Sequence, residues 1–252
     1  MGSDSRATQR ATPQELAELR RKMAAVPGRG ESVVARLPTS EGARRETLPV
    51  PAALGALLPD GGLVKGSVVA YAGGGSLLAG VLAAVTSGGG HAAVVGMPRL
   101  GLLAAAEMGA RLERLAVVAD PGADRLEVAA VLLDGLDLVL LDLGGVAVAP
   151  ARAGVIAARV RNRGAVLIVT GGRWPAPALR LGARVAGYTG LGRGRGRLDS
   201  ISLEVEVTGR GASTPRTGLL TLRSRDGRTE WVSRETDSAA TGSMNDARDA
   251  VS

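Results

Sequence analysis

Short apolar runs recur along the middle of the chain, at residues 68–72, 92–96, 116–119, 138–142 and 165–170. Between them lie segments of helical length, 77–87, 100–112, 125–133 and 152–163, rich in Ala, Leu and Arg. A run that is apolar at successive positions reads as a strand buried on both faces. Alternating such strands with helices predicts a mainly parallel sheet with helices on both sides. After Trp174 the pattern changes. Residues 184–191, 200–208, 218–224 and 229–233 alternate or are β-branched, and Arg225-Asp226-Gly227-Arg228 has the composition of a hairpin turn. The expected fold class is therefore α/β, a parallel core with a C-terminal antiparallel extension, over residues 62–233.

The flanks read differently. Residues 1–11 are polar and expected to be disordered. Thr12-Pro13-Gln14-Glu15 is then a capping box with Pro at the first helical position. A helix over 12–27 follows, with Leu16, Leu19 and Met23 on one face, basic residues Arg20, Arg21 and Lys22 toward its C-terminus, and Pro27-Gly28 as its stop. That apolar stripe needs a partner, which could be its own domain, another protomer or another protein. Residues 28–61, rich in Pro, Gly and Arg, read as a linker, with 48–58 a candidate for packing on the domain edge. Residues 234–252 lack periodicity and are expected to be disordered.

Composition removes whole classes of chemistry. The 252 residues contain no Cys, no Phe and one His, His91. Thiolate catalysis, disulfide frameworks, zinc fingers and His-based metal cages are excluded, and any Ser-His-Asp triad would have to use His91. The formal charge is +7, which favours anionic partners. Residues 66–98 carry no charged side chain and are long enough to test as a membrane span. The glycine clusters at 73–75 and 88–90 divide that run into strand, turn, helix, turn and strand. No membrane association and a cytoplasmic location are the expectations, since residues 1–14 lack a signal-peptide core.

The first of those strand–turn–helix units is where a phosphate-binding loop would sit. A working loop closes backbone N–H groups on phosphates, supplies a Lys to the terminal phosphates and a Ser/Thr to Mg²⁺. Laid on the G-x-x-x-x-G-K-[ST] frame from Ala72, the second Gly becomes Leu77, the Lys becomes Leu78 and the hydroxyl becomes Ala79. The essential side chains are missing, so no cofactor is expected. A backbone nest at Gly73, Gly74, Gly75 and Ser76 remains a candidate anion site. Asp142, ending the strand 138–142, has the form of a Walker B carboxylate. The alternative is that it caps its own turn.

These residues resemble the RecA-like fold, and within it the actinobacterial ImuA-type mutagenesis accessory proteins. The resemblance covers roughly Pro49 to Val232 and rests on the order and spacing of Leu63 to Val69, Tyr71 to Ala79, Met108-Gly109-Ala110, the strand to Asp142, and Val166 to Thr170 running into Gly171-Gly172-Arg173. It places Met97 where the recombinase has its catalytic Glu. It shortens the two DNA-binding loops to Leu143–Val146 and about Gly171–Pro177. It implies a RecA-like P-loop NTPase-type core that has lost ATPase chemistry and serves as an adaptor in SOS-regulated translesion synthesis. The implied partners are an ImuB-type Y-family-like protein and an error-prone C-family polymerase, with RecA or a second copy reached through the N-terminal helix. A DNA-dependent ATPase, a DNA-binding module, or a cell-division inhibitor of the related accessory group are the alternatives.

Two basic segments are candidates for DNA contact. Arg173 and Trp174 offer a guanidinium and a stacking ring at the end of a parallel strand, where ligands of open α/β sheets bind. Arg193, Arg195 and Arg197 alternate with Gly, suited to close phosphate approach or simply to a solvated turn. Trp231 and Tyr188 are expected in the core, and His91 as a partly buried residue at a strand start.

Overall fold

In the computed structural model, which describes residues 45–190, 198–210, 214–225 and 228–233, the apolar runs become strands of one nine-stranded sheet. All of these residues fall in one unit, Arg44–Ser252. The chain enters through β1 (Thr47–Leu48), α1 (Ala52–Gly55) and β2 (Leu63–Val64), with β1 antiparallel to β2. Then follow β3 (Ser67–Ala72), α2 (Gly75–Ser87), β4 (Ala92–Val95), α3 (Leu102–Glu107), β5 (Leu115–Val118), α4 (Arg125–Leu132), β6 (Leu138–Asp142), α5 (Pro150–Arg163) and β7 (Val166–Thr170). The chain continues through β8 (Leu179–Thr189), β9 (Ser200–Gly209), β10 (Arg216–Arg225) and β11 (Arg228–Ser233).

The sheet order is β11-β10-β9-β8-β3-β7-β6-β4-β5. Every neighbouring pair from β8 through β3 to β5 is parallel, and β8 to β11 are antiparallel. The molecule is thus α/β with a mixed, mostly parallel sheet. β8 joins its two halves, running parallel to β3 on one side and antiparallel to β9 on the other. Sequence pattern places this strand's start at 184, but it begins at Leu179. Pro175, Pro177 and Gly182 make the segment look broken, although its first residues already pair with Val69 and Ala70.

Successive residues of a strand face opposite ways, and around β6 both faces are covered. Leu138 and Leu140 of β6 join a core with Val81, Leu82 and Val85 of α2, while Val139 and Leu141 join a second core with Leu126, Ala129, Ile156 and Val160 of α4 and α5. α2 is apolar almost all round because it lies between the sheet and a further layer. Gly80, mid-helix, admits the Trp231 indole so closely that a Cβ there would lie 2.5 Å from its Nε1. Trp231 is buried, as expected.

The region read as linker from 45 to 61 belongs to this core. Leu48, Leu54 and Leu58 are buried against α2 and the sheet, so the compact fold begins before residue 62. Tyr188 is not a core residue: it is 55% exposed, near the end of β8. His91 is exposed just before β4, where its backbone N–H donates to Asp137 Oδ2 at 2.8 Å. The N-terminal helix with Leu16, Leu19 and Met23, the Asp226-Gly227 turn and the tail from 234 lie outside the described residues. Among the described residues no helix is long and apolar enough to cross a membrane. The uncharged run 66–98 forms β3, α2 and β4 instead.

The α4–α5 layer is pinned at its surface by arginine on carboxylate. Asp134 accepts from Arg159 Nε at 2.8 Å and Nη2 at 2.5 Å, and from Arg163 Nε at 3.1 Å. The Arg159 hydrogen bonds, with the charges of Arg159 and Arg163, hold the Asp134 carboxyl at about 2. Its unfolded value is about 3.9. A depressed folded value means the contribution to stability is full above the unfolded value and is lost as pH falls toward about 2. In urea denaturation across a pH series, Asp134→Asn is expected to remove part of the wild type's acid-limb loss of stability. Parallel pH profiles for the two proteins would contradict this.

Candidate functional site

β3, β6 and β7 end at one edge of the sheet, and the glycine loop, Asp142 and Arg173 therefore lie along the same edge. The register fixes this: Ala70 opposes Val169, Leu141 opposes Val169, and Asp142 opposes Thr170. In open α/β sheets this carboxyl-end edge is where ligands bind.

The glycine loop is short. β3 ends at Ala72 and α2 starts at Gly75, with Gly74 as an extended N-cap. Two connecting residues cannot wrap a phosphate in successive N–H groups; what remains is the exposed helix N-terminus at Gly73, Gly74 and Gly75, with Ser76 half-buried. Packing accounts for one of these glycines. A Cβ on Gly73 would lie 2.6 Å from the Tyr71 hydroxyl and 2.7 Å from the Ala183 carbonyl oxygen of β8, so only glycine fits. The Tyr71 hydroxyl donates to the Gly74 carbonyl at 2.6 Å, closing the turn from within, and burial pushes its phenol above the ordinary range. Gly75 faces Leu100, whose Cδ1 would be 3.0 Å from an added Cβ.

The positions that would carry phosphate chemistry are core. Leu77, Leu78 and Ala79 are buried on α2, and Met97 is half-buried against the first core. Lys65, the one described lysine, sits at the opposite end of β3, paired with Glu46. Among the described residues no group of three or more metal-ligating side chains occurs.

Asp142 caps its own turn. Its Oδ1 accepts from the Gly144 N–H at 2.8 Å, and its carbonyl accepts from Arg125 Nη1 at 3.4 Å. Gly144 and Gly145 have φ of 64° and 85°, conformations that favour glycine. Arg125, at the start of α4, went unnoticed in the sequence. Its guanidinium lies against Gly96 and Gly144 and fills the crevice between the ends of β4 and β6.

The segments matched by resemblance to DNA-binding loops are tied to one another. The Leu143 N–H donates to the Thr170 carbonyl at 2.9 Å, Arg173 N–H to Val146 at 3.1 Å, Val148 N–H to Arg173 at 2.9 Å, and Gly145 N–H to Gly171. This short parallel ladder, centred on the Ala147–Arg173 bridge, extends the sheet past β6 and β7. It splits the proposed Arg173–Trp174 pair. Arg173 is exposed, but Trp174 is 5% exposed and packs in the second core with Val148 and Ile156. Adjacent residues of an extended segment point to opposite faces, so the ring that was to stack on a base is core instead. Arg193, Arg195 and Arg197 lie outside the described residues.

The family model described as MT3502 N-terminal domain matches residues 56–176, the span from the end of α1 through the ladder after β7. A protein of Mycobacterium tuberculosis described as uncharacterized protein Rv3395c is 49% identical over 169 residues, 64% of this chain and 83% of the relative. The chain belongs to the Rv3395c family. The family-model match ends before β8, so it takes in the parallel half of the sheet and leaves the antiparallel half outside.

Proposed function

We propose that the protein is a non-catalytic RecA-fold adaptor in DNA-damage-induced, SOS-regulated translesion synthesis. One observation carries the reading. A strand, a glycine turn and a helix follow one another where a phosphate-binding loop would sit, and buried Leu78 and Ala79 stand where that loop's frame would need a lysine and a hydroxyl. The Asp142 carboxylate is engaged by its own turn, which is consistent with a structural role in place of Mg²⁺ positioning. The parallel order β8-β3-β7-β6-β4-β5, with the glycine-loop strand inside the sheet, supports the RecA-like assignment that the sequence motifs suggest.

In this role the chain links an ImuB-type Y-family-like protein to an error-prone C-family polymerase in the cytoplasm. DNA contact, where made, falls to exposed Arg173 and to Arg193, Arg195 and Arg197, without a stacking contribution from Trp174. Affinity purification from damage-treated cells is expected to recover both polymerase subunits with the tagged chain. Recovery of division-machinery components in their place would favour the cell-division-inhibitor reading.

A further inference from the structure

The edge of the sheet opposite the glycine loop carries a second feature, independent of the adaptor reading. A cavity of about 590 Å³ opens where β3 and β8 begin and β9 ends, walled by Leu58, Leu63, Val69 and Leu179. Beside it a groove of about 420 Å³ runs along the small residues Ala153, Gly154 and Ala157 of α5 toward Arg161. The two meet at Ser67, Ala178 and Arg210, which line both. The first lies within the size range of ligand sites, about 300–1,000 Å³, and has their makeup of apolar walls with a few polar groups at the mouth.

Charge selects the occupant. Arg45 and Arg210 stand at the cavity and Arg161 at the groove, all three exposed and without an ion-pair partner among the described residues. Asp60 is the one acidic residue lining either space. The nearby Lys65 and Glu46 neutralise each other. The Ser67 hydroxyl is spent on the Val64 carbonyl at 2.6 Å, so the polar recognition available is by guanidinium. A compact ligand in the cavity leaves Arg161 unanswered. The α5 wall from Pro150 to Arg161 is about 16 Å long at 1.5 Å per residue, the reach of about five extended residues.

We propose that this double cavity binds an acidic peptide segment of a partner protein, with an apolar side chain seated between Leu63, Val69 and Leu179 and flanking carboxylates paired to Arg45, Arg210 and Arg161. Guanidinium–carboxylate pairs set orientation and the buried side chain supplies most of the affinity.

The test uses the full chain and a short rhodamine-labelled peptide with a central Leu-Ile pair flanked by Glu, read by fluorescence anisotropy. Saturable binding that weakens with salt is expected, falling by about tenfold or more when Lys replaces the flanking Glu residues. Replacing the Leu-Ile pair by Ser should abolish it. The double variant Arg45→Glu, Arg210→Glu, whose exposed side chains leave the fold intact by circular dichroism, is expected to bind the Glu peptide at least about tenfold more weakly. No binding, equal affinity for the Glu and Lys peptides, or no effect of the charge reversal would overturn the proposal. So would binding of a single-stranded oligonucleotide, lost on charge reversal, in place of the Glu peptide.

Discussion

Trp174→Ala is expected to lower unfolding stability by about 3–5 kcal/mol, the range for emptying a buried aromatic site. The ring is 5% exposed and packs in the second core with Val148, Ile156 and Val169. The small α5 residues Ala153, Gly154 and Ala157 line the groove beside the ring, so little side-chain volume is at hand to fill the space. The drop should appear as a lower urea midpoint by circular dichroism, with little change in slope. Any loss of DNA affinity in this variant should follow the loss of folded protein. An unchanged midpoint with weakened DNA binding would restore the stacking role that the Gly-Gly-Arg-Trp-Pro context suggests.

The second large effect concerns the ladder that joins the ends of β6 and β7. A Cβ on Gly172 would collide with the Val146 carbonyl oxygen and lie 2.6 Å from Leu143 Cβ, both parts of the facing segment. Gly172→Val therefore has to spread the ladder, at a cost of about 3 kcal/mol, the upper end of overpacking penalties. Gly145→Ala is the informative control. Its φ of 85° disfavours any side chain, yet nothing lies within 4 Å of an added Cβ. Only backbone strain remains there, about 1–2 kcal/mol. Thermal denaturation of the two variants should rank them in that order; equal destabilisation would mean that the contact at Gly172 relaxes freely.

The parallel half of the fold was legible because burial on both faces writes itself into the chain as unbroken apolar runs. Leu138-Val139-Leu140-Leu141 sends alternate side chains into two different cores, so no position can be polar. The same logic misleads at the margins. Leu48, Leu54 and Leu58 contribute to a core, but Pro49, Pro51, Gly55, Pro59, Gly61 and Gly62 give the composition of a linker. Tyr188 and Trp174 were exchanged in role, since an isolated aromatic carries no periodicity to say which way it points. Backbone pairing between 143–148 and 170–173 decides the matter for Trp174, and no local signal announces a ladder of that length.

The glycine loop teaches a related point. Gly73-Gly74-Gly75 has the composition of a phosphate cradle, and Leu77, Leu78 and Ala79, at the frame positions of the missing side chains, are buried. What the string could not convey is why glycine persists there. Gly73 is fixed by the approach of the Tyr71 hydroxyl and of β8, a contact made across more than a hundred residues of sequence. Asp142 divides similarly: its position at the end of β6 is readable, whereas its hydrogen bond to Gly144 depends on the positive φ of the two glycines after Leu143.

Phosphate release from Mg-ATP, followed with and without single-stranded DNA, tests the central claim most directly. A non-catalytic adaptor gives release at the buffer rate in both conditions, and Asp142→Asn leaves that rate unchanged. DNA-stimulated turnover that disappears in Asp142→Asn would contradict the account and make the protein an ATPase with an unusual loop.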